Sequence, residues 1–301
     1  MSKFINDLIE KKRREFQIIS QNRSVPSAIM NGVIEHRNIS YLADGNQAHT
    51  LDVFFPADQG GTLPVVINVH GGGLVMGNKE FNRYFCANLC KQGFLVFSIE
   101  YRLAPEVTVF RQLDDVTAAI DYVDLVCGQY GGKAGEVFMV GDSAGAFLIL
   151  YTAAIQRNRK LANVMSVMPA KLPIEKIALI SGMFYTTKLD SIGMFLPESL
   201  YGKDYRKKPF YPYLDPGHID VCVSIPPAIL FTSRHDNLRR YTRRLANAMA
   251  KYNVPYILRD YGSNPSLTHA FPVFSPGLMQ SKQAVEEIGN FFRDKYNILL
   301  E

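Results

Sequence analysis

Ser143 stands in the string Gly141-Asp142-Ser143-Ala144-Gly145, after the apolar run Val137-Phe138-Met139-Val140 and before the helix-like stretch Ala146-Phe147-Leu148-Ile149-Leu150-Tyr151. A serine hydroxyl attacks poorly at neutral pH unless a base lies within hydrogen-bond reach. Histidine suits that task because its pKa lies near the working pH. Of the six histidines, His36 and His49 fall in early strand-like segments and His218 in a long irregular stretch. His70 precedes three glycines and reads as a loop brace, while His235 adjoins an acid. His269, in Thr268-His269-Ala270-Phe271 after the last strand-like segment, is the candidate base. A base of this kind needs an acid to fix its tautomer and stabilise the imidazolium. Asp236, at the end of a strand-like segment, is the candidate. Asp260 lies in or just beyond its own strand and is expected to face solvent, and Asp215 and Asp220 belong to the irregular stretch. The order Ser, Asp, His along the chain matches the order seen in hydrolases whose serine sits on a sharp strand-to-helix turn.

Acyl transfer through a serine passes through an oxyanion, which preorganised N–H donors stabilise. The strand-like Val65-Val66-Ile67-Asn68-Val69 runs into His70-Gly71-Gly72-Gly73. Gly72 and Gly73 carry no side chain to obstruct their N–H groups, and Ala144 adds a donor at a helix start. These three are the candidate oxyanion hole. A phosphate loop would continue with Gly-Lys-Ser/Thr, whereas Leu74-Val75 follows here.

The elements that must position these residues follow from apolar periodicity. Residues 2–22 read as an amphipathic, charged helix. Two alternating segments, 32–41 and 48–55, suggest an antiparallel start. Strands are expected at 65–69, 94–99, 137–140, 176–181, 228–232 and 256–259, and helices at 80–91, 111–129, from 143 onward, 239–252 and 282–296. Short apolar strands alternating with helices imply a mostly parallel sheet covered on both faces, with the loops after the strands gathered on one rim. Ser143, His70, Asp236 and His269 all fall in such loops. The aromatic segment 182–227 breaks the rhythm and reads as a cap over that rim, joined by the N-terminal helix.

The chain's 301 residues, 47% hydrophobic and 20% charged, describe an ordinary globular protein with a sizeable core. The net charge of +5 is mild. The clusters Lys11-Lys12-Arg13-Arg14 and Arg239-Arg240 with Arg243-Arg244 read as solvated helix faces, so no nucleic-acid partner is expected. Cys86, Cys90, Cys127 and Cys222 lack C-x-x-C spacing and read as free thiols. No apolar run is long enough for a membrane span and the first residues lack a signal-like apolar stretch, so a cytoplasmic location is expected. Metal-ligand spacing and a dinucleotide fingerprint are missing from the sequence, so neither metal nor cofactor is expected.

Five motifs in one order carry a resemblance: His70-Gly71-Gly72-Gly73, Tyr101-Arg102-Leu103-Ala104-Pro105-Glu106, Gly141-Asp142-Ser143-Ala144-Gly145, His235-Asp236-Asn237-Leu238-Arg239 and His269-Ala270-Phe271. From about residue 48 onward the chain resembles the hormone-sensitive-lipase-like esterases of the α/β-hydrolase fold. The resemblance implies a mostly parallel, eight-stranded sheet flanked by helices, in one domain over 1–301, with a helical cap from about 1–30 and about 183–226. It also implies Ser143 as nucleophile, Asp236 and His269 as its partners, and Gly72, Gly73 and Ala144 as oxyanion donors. The Tyr101–Glu106 string is structural in that family, with Asp114-Asp115 expected to pair with Arg102. Two departures stand out: Val107-Thr108-Val109-Phe110 replaces a proline-rich run, and Asn237-Leu238 replaces Pro-Leu after the acid. The expected activity is a serine carboxylesterase on short-chain esters, acetyl to about hexanoyl. An amidase or acyltransferase would use the same triad, and a non-catalytic small-ligand-binding protein would have tended to lose it. The expected partner is a small-molecule ester, and an edge strand near the C-terminus leaves a homodimer open.

Overall fold

The computed structural model describes residues 7, 9–15, 18, 27–58, 60–133, 135, 137–188 and 190–294. Its strands are β1 (Val33–Ser40), β2 (Thr50–Pro56), β3 (Val65–Val69), β4 (Leu95–Ile99), β5 (Val137–Asp142), β6 (Ile174–Ile180), β7 (Ala228–Ser233) and β8 (Tyr256–Tyr261). They form one eight-stranded sheet in the order β1-β2-β4-β3-β5-β6-β7-β8. The β1–β2 and β2–β4 pairs are antiparallel and every other pair is parallel. The antiparallel start and parallel remainder agree with the sequence reading.

Successive residues of a strand face opposite sides of the sheet, so a sheet covered on both sides needs continuous apolar strands. Val65, Ile67 and Val69 of β3 enter one core with Leu95 and Phe97 of β4, while Val66 and Val96 enter the other. The first core lies under α2 (Val109–Val126), α3 (Ala144–Arg157) and α8 (Arg239–Lys251). The second lies under α1 (Arg83–Lys91), α9 (Phe271–Phe274) and α10 (Met279–Arg293). The helix expected to open at Ser143 is α3; Asn158 ends it, and the Asn158 side chain accepts from the Lys160 and Leu161 N–H groups to cap α4 (Arg159–Met165).

Segment 182–227 is not structureless. It contains α5 (Ser191–Phe195), α6 (Pro197–Tyr201), single turns at Tyr205–Lys207 and Tyr211–Leu214, and α7 (Ile219–Cys222). Its aromatic side chains pack inward. Phe210 lies 4.6 Å from Phe110 of α2 between ring centres, and Tyr151 Oη of α3 donates to the Tyr213 carbonyl at 2.9 Å. Of the expected N-terminal helix, residues 9–15 are helical. Most of it, and most of the 1–30 portion of the expected cap, lies outside the described residues. All four cysteines are buried and free. Among the described residues, no helix is long and apolar enough to cross a membrane.

Three sequence readings need correction. Arg13 is not part of a merely solvated face, because it donates to Glu10, Glu106 and the Val75 and Ala104 carbonyls. Asp260 does not simply face solvent, because Arg239 and Arg243 converge on its carboxylate. Of the two acids expected to pair with Arg102, only Asp115 does, while Asp114 pairs with Arg111.

Candidate active site

Ser143 sits between β5 and α3 with φ 50° and ψ −111°, a conformation costly for any residue with a side chain. The sharp turn presses its neighbours against β3. A Cβ on Gly145 would lie 2.0 Å from the Val69 carbonyl oxygen, and one on Gly141 would lie 2.8 Å from the same atom. Backbone cannot yield at such distances, so both positions require glycine. The elbow is pinned from the β6 side: Ser143 N–H donates to the Ile180 carbonyl at 2.8 Å, and Met183 N–H donates to the Ser143 carbonyl at 2.9 Å. Ser143 itself is 8% exposed.

Asp236 follows β7 and its side chain is fully buried. One carboxylate oxygen accepts from His269 Nδ1 at 2.8 Å and from the Leu238 N–H at 2.9 Å, and the other accepts from the Thr232 hydroxyl at 2.8 Å. Burial pushes this carboxyl up, but the bond and charge of His269, with the Leu238 and Thr232 donors, outweigh it and hold the pKa below the usual range. The acid is therefore an anion wherever the protein is folded near neutral pH. Because Nδ1 faces the carboxylate, His269 keeps Nε2 for another partner.

His269 follows β8, two strands beyond β6, yet its loop leans back across the rim. Ser233 Oγ donates to the Leu267 carbonyl, and His235 bridges Thr268. Ala270 N–H donates to Ser181 Oγ at 3.0 Å. These tethers step from β7 to the end of β6, the strand that also holds the Ser143 elbow. Asp142, next to Ser143, lies within electrostatic reach of His269. The imidazole stays 28% exposed.

The glycine loop after β3 is held by groups that the sequence alone did not single out. Asp142 is buried and accepts from the Gly71 N–H at 3.0 Å and from Asn82 Nδ2 at 2.9 Å. Burial raises its pKa, against the pull of Asn82, His269, His70 and Gly71. Gly72 has φ 125°, and a Cβ there would meet the Met76 carbonyl oxygen at 2.0 Å; Gly73 has φ 65°. His70 is fully buried, stacked on Tyr101 at 4.4 Å, with Nε2 2.7 Å from Glu100 and Nδ1 2.7 Å from the Gly71 carbonyl. Both ring nitrogens face oxygens able to accept, an arrangement that favours the doubly protonated ring. Burial opposes that charge, but Glu100 outweighs it and the pKa is raised. The Gly71 carbonyl and the Gly72 N–H belong to one peptide unit, so His70 orients the Gly72 N–H. The N–H groups of Gly72, Gly73 and Ala144 have no acceptor among the described residues.

The missed contributors are thus Asp142, Asn82, Ser181, Glu100 and Thr232. Asp142 lay inside the serine string, and its type was the only available signal. Ser181, Glu100 and Thr232 are ordinary polar residues at strand ends and Asn82 lies just before α1, places that only tertiary contacts distinguish.

A family model described as alpha/beta hydrolase fold matches residues 66–272, a span that contains Ser143, Asp236, His269 and the glycine loop. The chain belongs to the α/β-hydrolase fold family. This α/β-hydrolase is 27% identical over 266 residues to carboxylesterase NlhH of Mycobacterium tuberculosis, covering 85% of this chain and 81% of that one. It is 22% identical over 237 residues to an acetyl esterase of Salmonella schwarzengrund, covering 76% and 71%. The fold matches esterase B from Lactobacillus rhamnosis, crystallised with a tributyrin phosphonate inhibitor, at a TM-score of 0.88, 23% identity and coverage of 97% and 95%. Brefeldin A esterase, described as a bacterial homologue of human hormone-sensitive lipase, aligns with a TM-score of 0.75, 19% identity and coverage of 96% and 84%. The resemblance to hormone-sensitive-lipase-like esterases read from the motifs holds.

Proposed function

We propose that this α/β-hydrolase is a carboxylic ester hydrolase acting through an acyl-enzyme on Ser143. Its support is the Asp236–His269 pair on a loop tethered to Ser181, beside the strained Ser143 elbow. In this reading His269 Nε2 takes the Ser143 Oγ proton as Oγ bonds to the ester carbonyl carbon. The carbonyl oxygen becomes an oxyanion received by the N–H groups of Gly72, Gly73 and Ala144, each such donor being worth about 3–4 kcal/mol. The C–O bond to the alcohol then breaks, and His269 returns its proton to the departing oxygen. Water repeats the sequence from the other side: His269 takes its proton, hydroxide oxygen bonds to the acyl carbon, and Ser143 leaves reprotonated with the acid released.

We read the substrate as a small ester with a short acyl group, acetyl to about hexanoyl. The names of relatives support this, an acetyl esterase among the curated proteins and a tributyrin-derived phosphonate on the esterase of like fold. The cap is read as the aromatic segment at about 183–226 together with the N-terminal helix, and the location as cytoplasmic.

The test is hydrolysis of p-nitrophenyl esters from acetate to laurate by the wild type and by Ser143→Ala. Activity peaking at short chains and falling by about 10⁶ in kcat in the folded variant is the expected result. Substantial turnover by Ser143→Ala would remove Ser143 from the mechanism. A folded wild type inert on every chain length would shift the reading to an amide or acyl-transfer substrate.

A further inference from the structure

The N-terminal helical residues 9–15 reach the segment after the glycine loop through the Arg13 side chain. Arg13 Nε donates to the Val75 carbonyl at 2.6 Å, and Nη2 donates to the Ala104 carbonyl at 2.9 Å. The two terminal nitrogens clasp Glu106 at 2.7 and 2.8 Å, and Nη1 also donates to Glu10 at 2.9 Å. A guanidinium has five N–H donors in a fixed plane, and each finds an acceptor here. The side chain is 22% exposed.

The Val75 bond leads towards the reaction centre. The Val75 carbonyl and the Met76 N–H belong to one peptide unit, and that N–H donates to the Gly72 carbonyl at 3.0 Å. The Gly72 carbonyl shares its peptide unit with the Gly73 N–H. Arg13 therefore stands at the head of a relay: guanidinium to Val75 oxygen, Met76 N–H to Gly72 oxygen, Gly73 N–H to the site. Hydrogen bonds in series polarise one another, and a cationic donor at the head strengthens the chain. The adjoining Leu74, at φ 68°, has its carbonyl held by the Ala104 N–H at 2.9 Å and by Gln112 Nε2 at 2.8 Å. Arg13 fixes the remaining corner of the turn against the same Ala104–Glu106 segment.

We propose that Arg13 is a positioning residue for the oxyanion hole, acting through Val75 and Met76 on the Gly73 N–H, so that the N-terminal helix is part of the catalytic apparatus. The proposal rests on the reading of Gly73 as an oxyanion donor.

The experiment uses the full chain with Arg13→Gln, Arg13→Lys and Glu106→Gln. It measures kcat and KM on p-nitrophenyl acetate, together with amide hydrogen exchange of a peptide spanning 70–77 and a control peptide spanning β5. For Arg13→Gln, kcat should fall about ten- to hundredfold, short of the ~10²–10³ lost when a whole donor is deleted. KM should stay within about twofold, because the benefit arises in the transition state. Exchange should quicken over 70–77 and not over β5. Arg13→Lys should remain impaired, since a point charge cannot reach carbonyls and carboxylate in one plane. Glu106→Gln leaves Arg13 its two carbonyl bonds and should shift the same quantities less, which also covers a failure of Arg13→Gln to fold. Unchanged kcat with unchanged exchange, full rescue by lysine, or a loss of kcat matched by faster exchange throughout would overturn the proposal. If the wild type hydrolyses no ester, the exchange comparison still decides the clamp, and the failure falls on the esterase reading alone.

Discussion

Two carboxylates stand near the ends of neighbouring strands, and their partners separate their roles. Asp236 is buried against His269, Thr232 and the Leu238 N–H, while Asp260 is taken up by Arg239 and Arg243. Asp236→Asn keeps the shape but cannot hold His269 as a cation or fix its tautomer, so kcat should drop by about 10⁴ with the fold intact. Asp260→Asn loosens a partly exposed ion pair worth about 1 kcal/mol at most and should leave kcat within about threefold. Steady-state kinetics on both variants checks this, and the reverse order would mean that Asp260 is the working acid. At this scale the candidates that the sequence offers are carried by type and order: a serine between glycines, then an acid and a histidine at later strand ends, the last two in contact in the structure. The sequence did not disclose Asp142 or Arg13. Their roles are to hold peptide groups far away in sequence, and nothing in a single residue's neighbours along the chain records that.

Among elements, the strands were legible because a sheet buried on both faces demands mostly apolar runs, as in β3, β4 and β5, where the polar interruptions Asn68 and Ser98 bond each other. Helix ends were less so. The sequence reading set no end to the helix opened by Ser143; the structure ends it at Asn158, whose side chain accepts two N–H groups of the next helix. The loop between β3 and α1 carries its own pH sensitivity. His70 lies between Glu100 and the Gly71 carbonyl, which favour its charged form over the opposing effect of burial, so its folded pKa lies above the unfolded value of about 6.5. A raised histidine pKa contributes stability that is full below about 6.5 and is lost as pH rises through the folded value. The melting temperature of the wild type should therefore decline from about pH 6.5 upward into the alkaline range. In Glu100→Gln the chief cause of the raised pKa is gone, so this decline should flatten while stability at low pH drops. Melting curves of both proteins from about pH 6 to pH 9 test it, and parallel curves would show that His70 does not carry the dependence.

In the molecule as a whole, the segment from 190 to 222 is attached in two physically different ways. Towards its two ends it is ionic: Asp190 pairs with Arg240 at 2.7 Å and also accepts from Tyr241 Oη, and Asp215 pairs with Arg244 at 3.0 Å and Lys188 at 3.5 Å. All these arginines ride on α8, the helix that begins just after Asp236. In the middle it is apolar, with Phe210 and Tyr201 around Phe110 and Tyr151 bonded to the Tyr213 carbonyl. The arginine clusters looked like solvated faces in the sequence because their acidic partners lie 17 to 50 residues away. Exposed ion pairs contribute about 0–1 kcal/mol each and weaken as the screening length shrinks to about 3 Å in 1 M salt, whereas apolar packing does not. Raising NaCl from about 0.1 to about 1 M should therefore quicken amide exchange over 190–196 and leave exchange over 200–214 unchanged. The melting temperature, governed by the two cores of the sheet, should move by no more than about 4 °C. The double variant Arg240→Ala, Arg244→Ala should reproduce the exchange pattern at low salt. Uniform quickening across 190–222 would mean that the segment moves as one piece and that the aromatic packing does not anchor it. No quickening at either end would mean that the ionic attachment is incidental, and that α8 does not couple the acid loop to this segment.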